Sequence, residues 1–217
     1  MPLPHDQVHV WRVRLLRSPE ATAGLRALLS AEEARRSGTQ AGERLQRRFV
    51  VAHAETRRIL AGYLGQDPRS ILFAVHPEGK PYLSDAGREL RFNLSHSGEL
   101  ALLAVSSHRE VGIDVEWVDP RRDLGGLLPA FTPEERAELE RLAEGERRAA
   151  LFAAWTRKEA RLKATGRGIG WGLAAGDRVE DPGRWTLFDI ECGADYRGTL
   201  AAEGSGWEMR VFDSAEP

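Results

Sequence analysis

The sequence predicts an α+β fold built from two similar subdomains in a pseudo-two-fold arrangement, each a small, mostly antiparallel sheet packed by helices. Three observations lead there. The elements run strand, helices, strands, then helices and strands again, so the second half repeats the kinds of element found in the first. The apolar segments between Ile71 and Val118 lie too close together for crossover helices, which makes them antiparallel or mixed hairpins. A chain of 217 residues holds one large domain or two small ones, each long enough for a core. The break is expected near Ser106–Glu110, giving an N-terminal lobe over 1–107 and a C-terminal lobe over 108–217 that carries the candidate metal site. No repeat at the level of residues accompanies this division.

Taken in order, Val8, Val10, Val13 and Leu15 mark a first strand by alternation. A helix follows over Ala21–Leu29. Ser30-Ala31-Glu32-Glu33 is a capping-box pattern and starts a new helix. The clearest helix is Glu43–Leu64, with Leu45, Phe49, Ala52, Thr56, Ile59, Leu60 and Tyr63 at three- and four-residue steps and Gly65 as its stop. Its other face carries Arg44, Arg47, Arg48, Arg57 and Arg58, and Arg35, Arg36, Arg47 and Arg48 are read as a solvated face or as a contact for a polyanion. Strands are expected at Ile71–Val75, Leu90–Leu94, Leu100–Val105 and Val111–Val118, with a turn presenting Lys80 between Gly79 and Pro81. Thr132-Pro133-Glu134-Glu135 opens a helix to about Ala143. Gly145 is read as a break before a helix from about Glu146 to Thr165, capped by Gly166. Strands at Arg184–Glu191, Tyr196–Ala202 and Trp207–Asp213 complete the chain.

The composition restricts function. Hydrophobic content of 41%, charge content of 29% and a net charge of −2 suit a soluble globular protein and argue against a nucleic-acid partner held by bulk positive charge. The single cysteine, Cys192, has no internal partner, which fits a reducing compartment. The sequence shows neither a membrane-spanning apolar run nor a signal-peptide pattern at its start, so the expectation is a cytoplasmic protein with no membrane attachment.

The chemistry concentrates in two segments. In Val111-Gly112-Ile113-Asp114-Val115-Glu116, the two carboxylates are two residues apart on a strand and share a face. In Trp155-Thr156-Arg157-Lys158-Glu159-Ala160-Arg161-Leu162-Lys163, Glu159 and Lys163 share a helix face, and Glu159 lies on the stripe of Phe152 and Trp155. Asp114, Glu116 and Glu159 together make an oxygen site for a hard divalent cation such as Mg²⁺, with Lys163 placed to hold a phosphate. The same spacings also fit an ordinary half-exposed strand and a surface ion pair. Ser95-His96-Ser97 raises a hydrolase, but adjacent residues on a strand point in opposite directions, and no Gly-x-Ser-x-Gly elbow is present. A strand-end pair donating to phosphate, with Lys80 beside it, is the better reading. Gly166–Gly172 follows a helix instead of opening one after a strand, which excludes a nucleotide-loop geometry and leaves a flexible connection.

Gly112-Ile113-Asp114-Val115-Glu116 and Trp155–Lys163 resemble the two signature motifs of the 4'-phosphopantetheinyl transferases, and Phe92-Asn93-Leu94-Ser95-His96-Ser97-Gly98 and Gly79-Lys80-Pro81 resemble two further motifs. Their order and spacing resemble the two-lobed, surfactin-synthetase-activating type from about Ser30 to Gly170. The resemblance implies transfer of the phosphopantetheine arm of coenzyme A, as co-substrate, to a serine of an apo acyl or peptidyl carrier protein. It implies Mg²⁺ (or Mn²⁺) on Asp114, Glu116 and Glu159, and Lys158 and Lys163 near the pyrophosphate. Arg36, Arg48, Lys80, Ser95 and His96 are implied at the nucleotide end, with His96 at the 3'-phosphate. Glu159 is implied as the base, in competition with a metal-bound water. Two positions depart from the pattern: Glu33, where a basic residue can occur, and Phe49, where a small hydroxyl residue can occur. A complete motif set in one chain implies a monomer. The alternatives are a relative that binds without catalysis and an unrelated metal-dependent phosphohydrolase. The arginine-bearing segments and the apolar residues between Asp119 and Phe131 are candidate carrier-docking surfaces.

Overall fold

The structure, a computed structural model, describes residues 3–84, 89–166 and 183–214. The glycine-rich stretch after Gly166 lies outside the described residues. The α+β expectation holds. Strand β1 (Gln7–Arg14) leads into helices α1 (Pro19–Arg26), α2 (Ala31–Gly38) and α3 (Glu43–Leu64). A hairpin, β2 (Phe73–Val75) and β3 (Pro81–Leu83), precedes β4 (Leu90–Ser97), β5 (Leu100–Ser107) and β6 (Val111–Trp117). Helices α4 (Pro133–Glu140) and α5 (Glu144–Thr165) follow, then β7 (Trp185–Ile190), β8 (Tyr196–Glu203) and β9 (Glu208–Asp213).

Two sheets lie face to face. One has the order β4-β5-β1-β9, the other β6-β8-β7. Alternation along each strand sorts its side chains between two cores. Val8, Val10, Leu100, Leu102 and Ala104 of the first sheet meet Val111, Ile113, Val115, Leu200 and Ala202 of the second. The opposite residues of the first sheet, Val13, Ala101, Leu103 and Val105, pack under α3 through Val50, Val51 and Ala54. On the far side of the second sheet, Ala160 and Ala164 of α5 rest on Ala201. The layers are helix, sheet, sheet, helix. Each sheet carries one 22-residue helix that ends at a left-handed glycine, Gly65 or Gly166. This is the physical content of the pseudo-two-fold expectation.

Three expectations need correction. Segment 108–217 is not self-contained, because β9 leaves it and pairs in parallel with β1, Gln7 opposite Glu208. That pairing covers an edge of the first sheet that would otherwise present unpaired backbone groups. Gly145 does not break a helix; it sits in the first turn of α5. Arg57, expected on the face of α3 opposite its apolar steps, is covered there and only 2% exposed. Its Nε donates to Glu33 Oε2 at 2.7 Å, and its Nη1 donates to the carbonyls of Pro68 and Ile71. Glu33 also accepts from the Ser30 N–H in the capping box of α2. Its acidic identity is therefore structural: it closes the start of α2 and neutralises a buried guanidinium.

The helix–strand contact that sets the second sheet is at Gly112. A Cβ there would lie 2.0 Å from the Ala160 carbonyl oxygen and 2.2 Å from the Ala164 nitrogen. Both are backbone atoms of a packed helix and cannot turn aside. Gly112→Ala is expected to cost about 1–3 kcal/mol or more by overpacking. A drop in the urea midpoint checks this; an unchanged midpoint contradicts the close approach.

Candidate active site

The edges of the two sheets meet along β4 and β6, and side chains bridge them. Asn93, Ser95 and Ser97 lie at two-residue spacing on one face of β4. Asn93 Oδ1 accepts the N–H of Ile113 at 2.8 Å, Ser95 Oγ that of Val115 at 3.4 Å and Ser97 Oγ that of Trp117 at 3.0 Å. The two hydroxyls then donate onward: Ser95 to Asp114 Oδ1 at 2.9 Å, and Ser97 to Glu116 Oε2 at 3.0 Å. Each serine therefore ties a backbone donor to the carboxylate one residue before it. β4 extends to Ser97, so the Ser-His-Ser motif is strand and not the turn beyond it.

Helix α5 completes the site from the other face of β6. The close approach at Gly112 and a buried hydroxyl contact between Thr156 and Thr199 (3.0 Å) fix its height over the sheet. Lys163 reaches Asp114 Oδ1 at 2.6 Å and Ser95 Oγ at 3.0 Å. Ser95 Oγ thus donates once and accepts twice, which uses its full capacity. It is an organiser and not a nucleophile, and His96, the next residue along β4, points away to the surface.

Asp114 and Glu159 are 4% and 3% exposed. One oxygen of each, Asp114 Oδ2 and Glu159 Oε1, is buried without a hydrogen-bond partner among the described residues. Burial, and then the charge of Asp114, push Glu159 up to about 7 against the pull of Lys163. Buried carboxylate oxygens are rarely left unsatisfied, and a cation answers both at once. Glu116 is engaged elsewhere as well: its Oε2 also accepts from Arg122 Nη1 at 3.1 Å. Accordingly, among the described residues no three acidic, imidazole or thiolate groups converge into a ready cage. The donor set suits Mg²⁺ nonetheless, since that ion is commonly held by one or two carboxylates with substrate phosphate and water completing the octahedron.

Away from the carboxylates, cations and imidazoles line the surface toward the end of α2. His96 lies close enough to Lys163 and Arg48 that both, after desolvation, hold its pKa below the usual imidazole value. Arg36 stands over the Phe49 ring, which stacks on His53 at 3.8 Å. Burial lowers His53 to about 4, so its ring is neutral at pH 7. Two lysines lie elsewhere. Lys80 Nζ donates to Glu110 Oε2, the Val111 carbonyl and the Ala164 carbonyl, which uses all three of its protons. It fastens the β2–β3 hairpin to the C-terminal end of α5, where a cation is favoured. Lys158 pairs with Glu135 at 2.9 Å and lies over the Phe131 ring, so it braces the start of α4. Sequence reasoning missed Asn93, Ser97, His53 and Arg122 as parts of the site. The two-residue spacing of Asn93, Ser95 and Ser97 was the available signal.

Comparison with known proteins gives the family. The family model described as the 4'-phosphopantetheinyl transferase superfamily matches residues 110–204, and that of the 4'-phosphopantetheinyl transferase N-terminal region matches 18–108. The 4'-phosphopantetheinyl transferase HetI of Nostoc sp. is 35% identical over 222 residues, covering 95% of this chain and 92% of that protein. The chain belongs to the 4'-phosphopantetheinyl transferase family. Other relatives are the transferase AcpT of Salmonella typhimurium, 43% identical over 46% of this chain and 52% of its own length, and a 4'-phosphopantetheinyl transferase of Bacillus subtilis, 30% identical over 64% of this chain and 62% of its own. The protein is thus a transferase, and each of the two family matches covers one side of the β4–β6 seam. Among the described residues no helix is long and apolar enough to cross a membrane.

Two predictions follow from this geometry. Ser95→Ala strips a donor from Asp114 and an acceptor from the Val115 N–H, and the expected loss is about 1–3 kcal/mol, read as a lowered denaturation midpoint. His53 has a folded pKa below its ordinary value of 6.5. Its contribution to stability is therefore complete above about pH 6.5 and disappears as the pH falls toward 4. Denaturant titrations across that window should show a shallower acid loss for His53→Gln than for the parent; identical slopes would refute a buried neutral imidazole.

Proposed function

We propose that the protein transfers the 4'-phosphopantetheine moiety of coenzyme A to a serine hydroxyl of an apo acyl or peptidyl carrier protein. The reaction depends on Mg²⁺ (or Mn²⁺) and releases adenosine 3',5'-bisphosphate. The observation that carries this reading is the pair of buried, unpartnered oxygens on Asp114 and Glu159 beside the Lys163 ammonium. Asp114 and Glu159 would hold the cation, with Glu116 joining them by releasing Arg122. A divalent cation bound there neutralises charge on the pyrophosphate and its leaving group.

The chain's own groups supply the rest. Lys163, one turn beyond Glu159, carries a positive charge to the pyrophosphate from the helix side. Ser95 keeps that ammonium and Asp114 in register. Glu159 is placed to take the proton of the attacking serine, directly or through water, as a new bond forms to the β-phosphorus and the bond to the bridging oxygen breaks. His96, Arg48 and Arg36 form the nucleotide side, supported by the run of imidazole and guanidinium groups from Lys163 to the end of α2. Lys80 and Lys158 act through the hairpin and the helix they fasten.

The reading includes a division into lobes at 107/108, the strand β9 excepted, with the site along the seam. The order and spacing of the four motifs support a two-lobed chain of the surfactin-synthetase-activating type. Each chain carries its own site residues, so the functional unit is a monomer, acting in the cytoplasm without nucleic acid or membrane.

Incubation with coenzyme A, Mg²⁺ and an apo carrier protein, followed by intact-mass measurement, tests the activity. The carrier is expected to gain one phosphopantetheine arm, whereas a phosphohydrolase would release phosphate with no carrier modified. Asp114→Ala should lower transfer at least about a hundred-fold while circular dichroism stays unchanged, and full activity in that variant would sink the assignment. Glu159→Gln separates base from ligand: near-normal transfer with normal metal affinity excludes direct proton transfer to this carboxylate.

A further inference from the structure

We propose that Glu99 is a positioning residue for the nucleotide side of the site, fixing the guanidinium of Arg48, and with it Arg44, so that one edge stays available to a phosphate. The inference rests on the reading of Arg48 as a coenzyme A contact and goes beyond it, because nothing in the motifs singles out Glu99. Arg48 donates through Nη2 to Glu99 Oε1 at 2.6 Å and through Nε to Oε2 at 3.2 Å. Arg44 donates to the same Oε1 through Nη2 at 2.5 Å and Nε at 3.0 Å. Both guanidinium groups therefore show Glu99 the same edge, and the Nη1 groups face elsewhere. A guanidinium held along one edge keeps its planar fork preorganised for an oxyanion on the other.

Glu99 can serve as an anchor because its own backbone is fixed from both sheets. Its carbonyl accepts the Leu15 N–H at 2.9 Å, and its N–H donates to Tyr196 Oη at 3.0 Å. The residue before it, Gly98, has φ +57, and a Cβ there would lie 2.6 Å from that same Tyr196 oxygen and 3.2 Å from Trp117 Cβ. The β4–β5 turn is thus held by a tyrosine from β8 and a tryptophan from β6, two and three residues beyond His96. Arg44 is largely exposed and Arg48 mostly covered, with side-chain exposures of 71% and 19%. Without Glu99, Arg44 would return to solvent, while Arg48 would lose the contact that sets its direction.

The opposite possibility is physically distinct. If Glu99 were only a competing anion, its removal would leave two unneutralised arginines and tighten binding of any phosphate. Calorimetric titration with adenosine 3',5'-bisphosphate separates the two cases without requiring turnover. Glu99→Ala is expected to weaken binding about ten-fold and Glu99→Gln, which keeps one acceptor, by less. In transfer assays the loss should appear in KM for coenzyme A with kcat nearly constant. The variant should also discriminate less between coenzyme A and dephospho-coenzyme A. In an Arg48→Ala background, Glu99→Ala should add little. Unchanged or tighter binding in Glu99→Ala, or a full additional loss in the Arg48→Ala background, overturns the proposal. Failure of the parent protein to bind adenosine 3',5'-bisphosphate would instead count against the underlying nucleotide-side reading.

Discussion

The whole arrangement hangs on the seam between β4 and β6. Two sheet edges face each other there without forming a common backbone ladder, and three side chains of β4 stand in for the missing carbonyls. This solves an edge problem and builds a site at the same time. The N–H groups of Ile113 and Val115 would otherwise be buried donors without acceptors, which is costly. A hydroxyl that accepts one of them still has a proton to give, and in both serines that proton goes to the neighbouring carboxylate. An asparagine, which can accept through its oxygen alone, occupies the position where β6 has no acid to orient. The choice of Asn-x-Ser-x-Ser follows from which β6 residues precede each N–H.

The second constraint is that α5 must lie almost on the backbone of β6. Only a residue without a Cβ permits this, and Gly112 is that residue. Small residues continue the contact on the helix, with Ala160 and Ala164 fully buried. The consequence is electrostatic. Glu159, one position before Ala160, is carried into the same dry space as Asp114, and two carboxylates share it. Lys163 satisfies one oxygen of Asp114 and Arg122 satisfies Glu116. Glu159 is raised first by burial and then by the charge of Asp114, against the pull of Lys163. Packing, not surface chemistry, brings the two carboxylates together.

Much of this was legible in the sequence because it is carried by local periodicity. The 22-residue span of α3 follows from its apolar steps and Gly65, and both capping boxes form as their spacing requires. Asp114, Glu116, Glu159 and Lys163 could be placed on faces by spacing alone. What spacing does not encode is which neighbour a long side chain meets. Lys80, Lys158, Arg57 and Glu33 all lie in polar stretches that suggest ligand contacts or solvent, yet each is consumed by a partner distant in sequence. Arg57 shows the reason most clearly. On a helical wheel it belongs to the arginine-rich face, but α2 and the segment Pro68 to Ile71 cover that part of the face and supply a carboxylate and two carbonyls. The crossing of β9 into the first sheet was hidden in the same way, since strand partners are a property of the tertiary fold and not of the strand.

The distribution of charge separates the roles of the cations. Those that are fully engaged with carboxylates and carbonyls, Lys80 and Arg57, hold elements together at the periphery of the seam. Lys163 is different, because its partners are themselves parts of the site: an aspartate with one free oxygen and a serine already saturated by backbone and carboxylate. An ammonium in that position balances the charge of Asp114. Under the proposed function, a cation on the free oxygens would share that charge and leave the ammonium available to a phosphate. The close α5–β6 contact at Gly112 holds the backbone of Lys163 in one place for both uses.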